Sequence, residues 1–287
     1  MIRFPTAVFL RLLAAACGAA VAEVLVDFID CVIVGRVLGE TALAGLELFL
    51  PVIGGVTALS LLAAGGTAIL HAEAMGRFDR ARADGAFSTG VFVSLALGLA
   101  AATALGFGLD AYLGFLGADA QTLGFARAYG RAYVPVVLLL PLMHMLITMV
   151  LADGGDKTFT ASAAAVFVVN VGTSWFLAQA FGIAGCAWGT LAAVVVAIAC
   201  LLFHFRAKGC SLAFRFRFSA VQARRILVAN PGDALSELAD AVALLFANWF
   251  VVRRCGSAAR PVVALVFAVD GLMFVFNGFS NAAQSIV

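Results

Sequence analysis

The sequence predicts an all-α polytopic membrane protein, and three observations carry that prediction. Apolar residues make up 64% of the 287-residue chain and charged residues only 12%, whereas a soluble globular domain runs at about 45–50% and about 25%. The mean hydropathy is +1.08. The apolar residues fall in long unbroken runs, unlike the short alternating segments of an outer-membrane barrel. An ordinary soluble enzyme, a disordered chain and a nucleic-acid binder are thereby excluded. The net charge of +2 is too small to indicate anionic partners.

A spanning helix needs about 20 apolar residues. Sliding a hydropathy window gives eight such segments, roughly 7–34, 45–71, 86–109, 127–151, 159–180, 183–204, 231–252 and 260–286. In the first, Ala20-Val21-Ala22 resembles a signal-peptidase site. Arg11 interrupts that pattern, however, and the apolar run continues past Glu23 to Val34, so the segment is read as a spanning helix. In the third, Ala86, Gly90, Ser94, Gly98, Ala102 and Gly106 recur every four residues. Such a small-residue stripe lets a neighbouring helix approach closely inside a bilayer.

The breaks are charged or carry Gly or Pro: 35–44, 72–85, 110–126, 152–158, the Phe181-Gly182 turn, 205–230 and 253–259. Lys and Arg concentrate in alternate breaks, which places the N-terminus in the cytoplasm; the 253–260 arginines stand against that orientation. The compartment expected is the bacterial cytoplasmic (inner) membrane. The longest break holds Phe214-Arg215-Phe216-Arg217-Phe218 and then Arg224-Arg225. Two readings of it stay open: a cytoplasmic interfacial linker whose arginines snorkel to lipid headgroups, or an ordinary long loop. It divides a six-helix unit (1–205), through a basic linker (206–230), from a second unit (231–287) with two helices. The cysteines at 17, 31, 186, 200, 210 and 255 show no ligand spacing and read as packing residues. The three histidines are scattered, so no metal site is expected.

Charge inside a bilayer costs about 2.5–3.5 kcal/mol per acid, and each such residue is a functional candidate. Glu23, Asp27 and Asp30 in the first segment are spaced i, i+4, i+7, which puts them within about 60° of one helix face. Three carboxylates on one stripe cannot all face lipid. They line a cavity or meet partners, and such a stripe suits the uptake of a proton or another cation. The seventh segment repeats the spacing with Asp233, Glu237 and Asp240, of which the deeper Glu237 and Asp240 are the candidates. In the eighth, Asp270, Asn277, Asn281 and Gln284 share a face that is expected to line a cavity. There is no phosphate-binding G-x-x-x-x-G-K-[ST] loop and no T-V-G-Y-G filter.

Six short motifs occur in order along nearly the whole chain. Ile29 to Gly39 reads IDCVIVGRVLG and is followed by TALAGL at Thr41 to Leu46. Ala74 to Arg82 reads AMGRFDRAR, Leu116 to Asp119 reads LGAD, and Gly154 to Thr158 reads GGDKT. Gly182 to Ala187 reads GIAGCA, and Ala282 to Val287 reads AAQSIV. Together they resemble the multidrug and toxic compound extrusion (MATE) family, whose first-helix pattern is V-D-x-I-F-V-G-R-x-L-G. The resemblance implies twelve helices in two six-helix lobes. It also implies secondary active export of amphipathic, often cationic compounds, in antiport with inward H⁺ or Na⁺. The partners are then a lipid bilayer and small substrates, with no cofactor beyond the transported ion, and the full-length protein is expected to be a monomer. The family pattern continues for about four more helices after Val287, so the 287 residues are expected to be part of a longer protein.

Residue by residue, the family's first-helix acid falls on Asp30, its helix-five Asn on Asn170 and its helix-six Thr on Thr190. The helix-five acid four positions after the Asn falls on Ser174, a departure that Asp27 or Glu23 would have to make good. A second-lobe acid falls near Asp240. Three other readings compete with this one. A lipid-linked oligosaccharide flippase of the same superfamily would need more arginines within spans than Arg11. A ten-helix drug/metabolite transporter would need shorter breaks. A prenyltransferase-like enzyme using Asn230, Asp233 and Glu237 would need a second acidic motif on the same membrane side.

Overall fold

The computed structural model describes residues 28–117, 119–207 and 209–255. All regular structure among them is helical: α1 (28–38), α2 (Glu40–Glu47), α3 (Leu50–Gly76), α4 (Arg80–Leu116), α5 (Ala120–Ala152), α6 (Asp156–Phe181), α7 (Ile183–Leu202, continued by a 3₁₀ turn Phe203–Arg206), α8 (Ala220–Ala229) and α9 (Pro231–Cys255). Six stretches are long and apolar enough to cross a membrane: Glu40–Gly76, Arg80–Leu116, Ala120–Ala152, Asp156–Phe181, Ile183–Arg206 and Pro231–Val251. They match the second to seventh apolar segments. The eighth, and the first up to Asp27, lie outside the described residues.

The helices outrun their apolar segments. The break expected over 72–85 shrinks to Arg77–Asp79, and that over 110–126 to residues 117–119. A 37-residue helix such as α4 is about 56 Å long, against a hydrocarbon core of about 30 Å. Hydropathy marks the part inside the core, whereas local capping marks the ends. Asp79 accepts from the Arg82 N–H at 3.0 Å to start α4. Asp119 starts α5 by accepting from the Thr122 N–H at 3.0 Å and its hydroxyl at 2.8 Å. Ser219 starts α8 by accepting from the Gln222 N–H at 3.3 Å. Side-chain oxygens thus satisfy donors that an α-helix leaves open at its first turn. Between α6 and α7 the chain reverses on Gly182, at φ 65° and ψ −147°, a region open to glycine alone.

Small residues set the helix spacing. The α4 stripe packs on two neighbours: a Cβ at Gly90 would strike Thr67 of α3, and one at Gly98 would strike the Leu138 carbonyl of α5. The stripe is shorter than the sequence indicated, because Gly106 is exposed with nothing beside it. In the core, Phe49 meets Tyr129 and Tyr133 edge-on at 5.3 and 5.4 Å, an arrangement that favours aromatic quadrupoles.

Residues 206–230 are neither a free loop nor wholly interfacial. An irregular strap, 209–219, crosses α4, and α8 then packs on α3, where a Cβ at Gly66 would strike the Ile226 carbonyl. Two linker arginines meet acids: Arg215 Nε lies 2.7 Å from Asp84 and Arg225 Nη2 lies 3.1 Å from Glu73. The α9 helix also packs on α3, with Ala241 against Gly54.

Candidate functional site

Asp30 is the focus of a buried polar cluster formed by α1, α6 and α7. Its residue is 8% exposed, and Asn170 and Ser174 are 0% exposed. The Asn170 amide donates to Asp30 Oδ2 at 3.5 Å and to Thr190 Oγ1 at 3.5 Å. Thr190 Oγ1 lies 3.2 Å from Asp30 Oδ2 and 3.2 Å from the Cys186 carbonyl. The hydroxyl has one proton, so it can donate to Asp30 or to its own helix but not to both. Three buried oxygens of the cluster, Asp30 Oδ1, Asn170 Oδ1 and Ser174 Oγ, lack a partner of good hydrogen-bond geometry among the described residues, although the Ser174 hydroxyl lies near enough to Asp30 to interact with its carboxylate. Leaving such buried acceptors unpaired costs about 1–3 kcal/mol each.

The fold brings these groups together through glycine. A Cβ at Gly185 would strike the Leu177 carbonyl, and one at Gly189 would strike Ser174. The two glycines are four residues apart on α7, a spacing that allows close contact of membrane helices. Thr173 Oγ1 donates to the Val169 carbonyl at 2.6 Å and reaches the Gly189 carbonyl at 3.3 Å. Asn170, Ser174 and Thr190 are thereby held at the α6–α7 contact beside Asp30 of α1.

Of the sequence candidates, the structure gathers Asp30, Asn170, Ser174 and Thr190. Glu23, Asp27, Asp270, Asn277, Asn281 and Gln284 lie outside the described residues. On α9, Glu237 is half-buried with Oε1 near Gly54, whereas Asp240 and Asp233 are exposed on this chain. Asp233 accepts from the Asn230 amide at 3.1 Å at the start of α9, an ordinary helix-start arrangement.

A second cluster was not singled out from sequence. Asp153, at the end of α5, accepts from His204 Nε2 at 2.7 Å, from the Ser211 N–H at 3.1 Å and from the Ser211 hydroxyl. Burial alone would raise its carboxyl, but the hydrogen bonds from Ser211 and His204 outweigh it and hold Asp153 below the usual carboxylate range. The ligating atoms of Asp153, His204 and Cys210 lie within 4.8 Å of one another, so these are the described residues that could hold a metal. Here the carboxylate is already taken up by protein donors, and Asp153, His204 and Ser211 form a clamp joining α5, the 3₁₀ turn and the strap. The sequence signal lay in Asp153 and His204 ending two apolar segments on the same side.

The MatE family profile matches residues 15–176, more than half of the chain. No curated protein sequence gives a significant match. Among solved structures, an outward-facing multidrug resistance MATE family transporter of the MOP superfamily superposes with a TM-score of 0.84 at 22% identity, covering 98% of this chain and 64% of that one. An inward-facing form gives 0.81 at 21% identity, covering 91% and 61%. A MOP superfamily transporter from Pyrococcus furiosus, described as having a binding pocket of reverse polarity, gives 0.84 at 22%, covering 98% and 64%. The chain therefore spans less than two thirds of the length of these transporters, and at this identity the likeness is one of fold. The membrane-length helices, their order and the match over residues 15–176 lead to one assignment: this chain belongs to the MatE family of multi-pass membrane transporters.

Proposed function

We propose that the chain serves secondary active efflux of amphipathic or cationic compounds, in antiport with H⁺ or Na⁺, and that Asp30 is the coupling residue. The observation that carries this is the set of unpaired buried oxygens around Asp30. A single carboxylate with the Asn170 amide and the Ser174 hydroxyl beside it is an oxygen-rich site with one negative charge, suited to a proton or a hard monovalent cation. When the ion is bound, the site is satisfied. When it leaves, Asp30 keeps only its long contacts to Asn170 and Thr190, and the α1–α6–α7 junction loosens. That difference couples ion occupancy to the packing of α1, as an alternating-access carrier requires.

In this reading Asp27 and Glu23 extend the same stripe and supply carboxylate lacking at Ser174. Glu237 and Asp240 are second-lobe coupling candidates, and Asp270, Asn277, Asn281 and Gln284 line the cavity. Residues 1–205 act as one lobe, 206–230 as the linker, and 231–287 as the opening of the other. The N-terminus lies in the cytoplasm of a bacterial inner membrane, and the transporter works as a monomer on small substrates in the bilayer.

The test is dye efflux from proteoliposomes under a pH or Na⁺ gradient, combined with carbodiimide labelling, which marks protonated carboxyls in apolar surroundings. Asp30→Asn should abolish gradient-driven efflux, and Na⁺ or low proton activity should protect the native Asp30 from labelling. Full gradient-driven efflux by the Asp30→Asn chain overturns the assignment.

A further inference from the structure

The strap over α4 builds a basic site that the Asp30 cluster does not use. Its backbone is pinned at both ends. The Arg215 N–H donates to Ser88 Oγ at 2.9 Å, and the Ser219 N–H donates to Thr89 Oγ1 at 3.3 Å. Around these points the phenylalanines at 214, 216 and 218 gather on Phe92, at 6.1, 5.3 and 6.1 Å. Arg215 and Arg217 flank Phe216, where the chain bends. Together with Arg80, Ala81, Asp84 and Phe216 they line an open cavity of about 510 Å³.

The charge of this cavity is unbalanced. Three arginines meet one acid, and Asp84 engages Arg215 through Nε. Arg80 makes only a long 3.4 Å contact to the Ser211 carbonyl, and Arg217 has no ion pair among the described residues. Guanidinium groups placed side by side select phosphate by forked, charge-assisted hydrogen bonds. Beside them Phe216 is 86% exposed and Phe218 60% exposed, and such apolar surface calls for an apolar cover.

The depth fits one occupant. If the length of α4 beyond the hydrocarbon core is shared between its ends, about 13 Å projects at each. Asp84 then lies about 6 Å from the start of the helix, among headgroups, and Phe92 about 18 Å from it, just inside the acyl region. We propose that this cavity binds the phosphate of an anionic phospholipid, with Arg80, Arg215 and Arg217 on the headgroup and the exposed phenylalanines along the acyl chain. A lipid held there would tie the strap, and with it the linker between α7 and α9, to the membrane surface.

The test is native mass spectrometry of the full chain titrated with phosphatidylglycerol, phosphatidylcholine or inorganic phosphate. The native chain should prefer phosphatidylglycerol. The double variant Arg80→Gln, Arg217→Gln should bind it about 10- to 30-fold more weakly, given roughly a tenfold or smaller contribution from each basic residue near a charged membrane surface. Both side chains are exposed, so folding is unaffected; an unchanged melting temperature in phosphatidylcholine checks that. Arg131→Gln, beside Asp110 at the far end of α4, should keep the preference. Equal binding of the two lipids, or a preference that survives in the double variant, overturns the proposal. Occupancy by inorganic phosphate that displaces the lipid would assign the cavity to free phosphate instead.

Discussion

Removing Asp153 should release the strap. Its carboxylate holds the Ser211 N–H, the Ser211 hydroxyl and His204 Nε2, and its side chain is 5% exposed, with His204 at 7%. In Asp153→Ala, water can re-satisfy Ser211, which is half-buried. The His204 ring cannot turn outward, because Gly155 lies against it on one side. The stranded imidazole costs about 1–3 kcal/mol, and the lost charge-assisted bonds to Ser211 about 1 kcal/mol more. A total of about 2–4 kcal/mol corresponds to a rise of at least about 30-fold in strap opening. Hydrogen exchange of the 211–219 amides reads this directly. The sign with pH is fixed as well. A depressed carboxyl stabilises fully above the ordinary aspartate value of about 3.9 and loses its effect as pH falls through the lower folded value. The part of strap protection that Asp153 supplies should therefore be lost only in acid below about pH 4, and Asp153→Ala should lack that acid step. Protection within threefold of the native chain in Asp153→Ala would refute the clamp.

Two further outcomes test the polar contacts individually. At the Asp84–Arg215 pair the acid side chain is 6% exposed and the arginine 65%. Arg215→Ala should therefore cost more than Asp84→Ala, about 1–3 kcal/mol against less than about 1, read as thermal stability in detergent; the reverse order would mean that the arginine, not the acid, is the buried partner. Ser174→Asp places a second carboxylate beside Asp30, and should make the melting temperature rise with Na⁺ more steeply than in the native chain. Ser174→Asn serves as the steric control, and equal Na⁺ responses in the two variants would show that no shared cation site exists there.

The spanning segments were legible because about 20 apolar residues in a row have one stable setting. The helix ends were less so. Arg80 to Asp84 looked like part of a charged loop, yet the residues are helical, capped by Asp79 and continued beyond the hydrocarbon. The Asp30 cluster was legible twice over, from the cost of an intramembrane acid and from the family resemblance that picked out Asn170 and Thr190. On α9 the i, i+4, i+7 spacing showed that Asp233, Glu237 and Asp240 share a sector but not which way it faces. Ala234 and Ala241 take the buried face, so Glu237 borders it and Asp240 does not. The Asp153 clamp was illegible for another reason. Its members are 51 and 58 residues apart at segment boundaries, where a polar residue needs no explanation until the tertiary fold removes its water.

The departure at Ser174 coincides with a close contact of α7 on α6. Gly189 reaches Ser174 so closely that a single added carbon would overlap both its side chain and its backbone. A residue longer than serine at 174 must therefore turn toward α1 and into the space in front of Asp30. With serine, that space stays open and the two helices close tightly enough for Thr190 to reach Asp30 at 3.2 Å. One carboxylate with three neutral oxygen-bearing neighbours then stands where the family resemblance would imply a pair of carboxylates. Such a site carries one negative charge rather than two, so a single proton or Na⁺ neutralises it fully. The close helix contact and the single-charge site thus go together, and any change that widens the α6–α7 contact at Gly189 should weaken the ion uptake proposed for Asp30 without touching either residue.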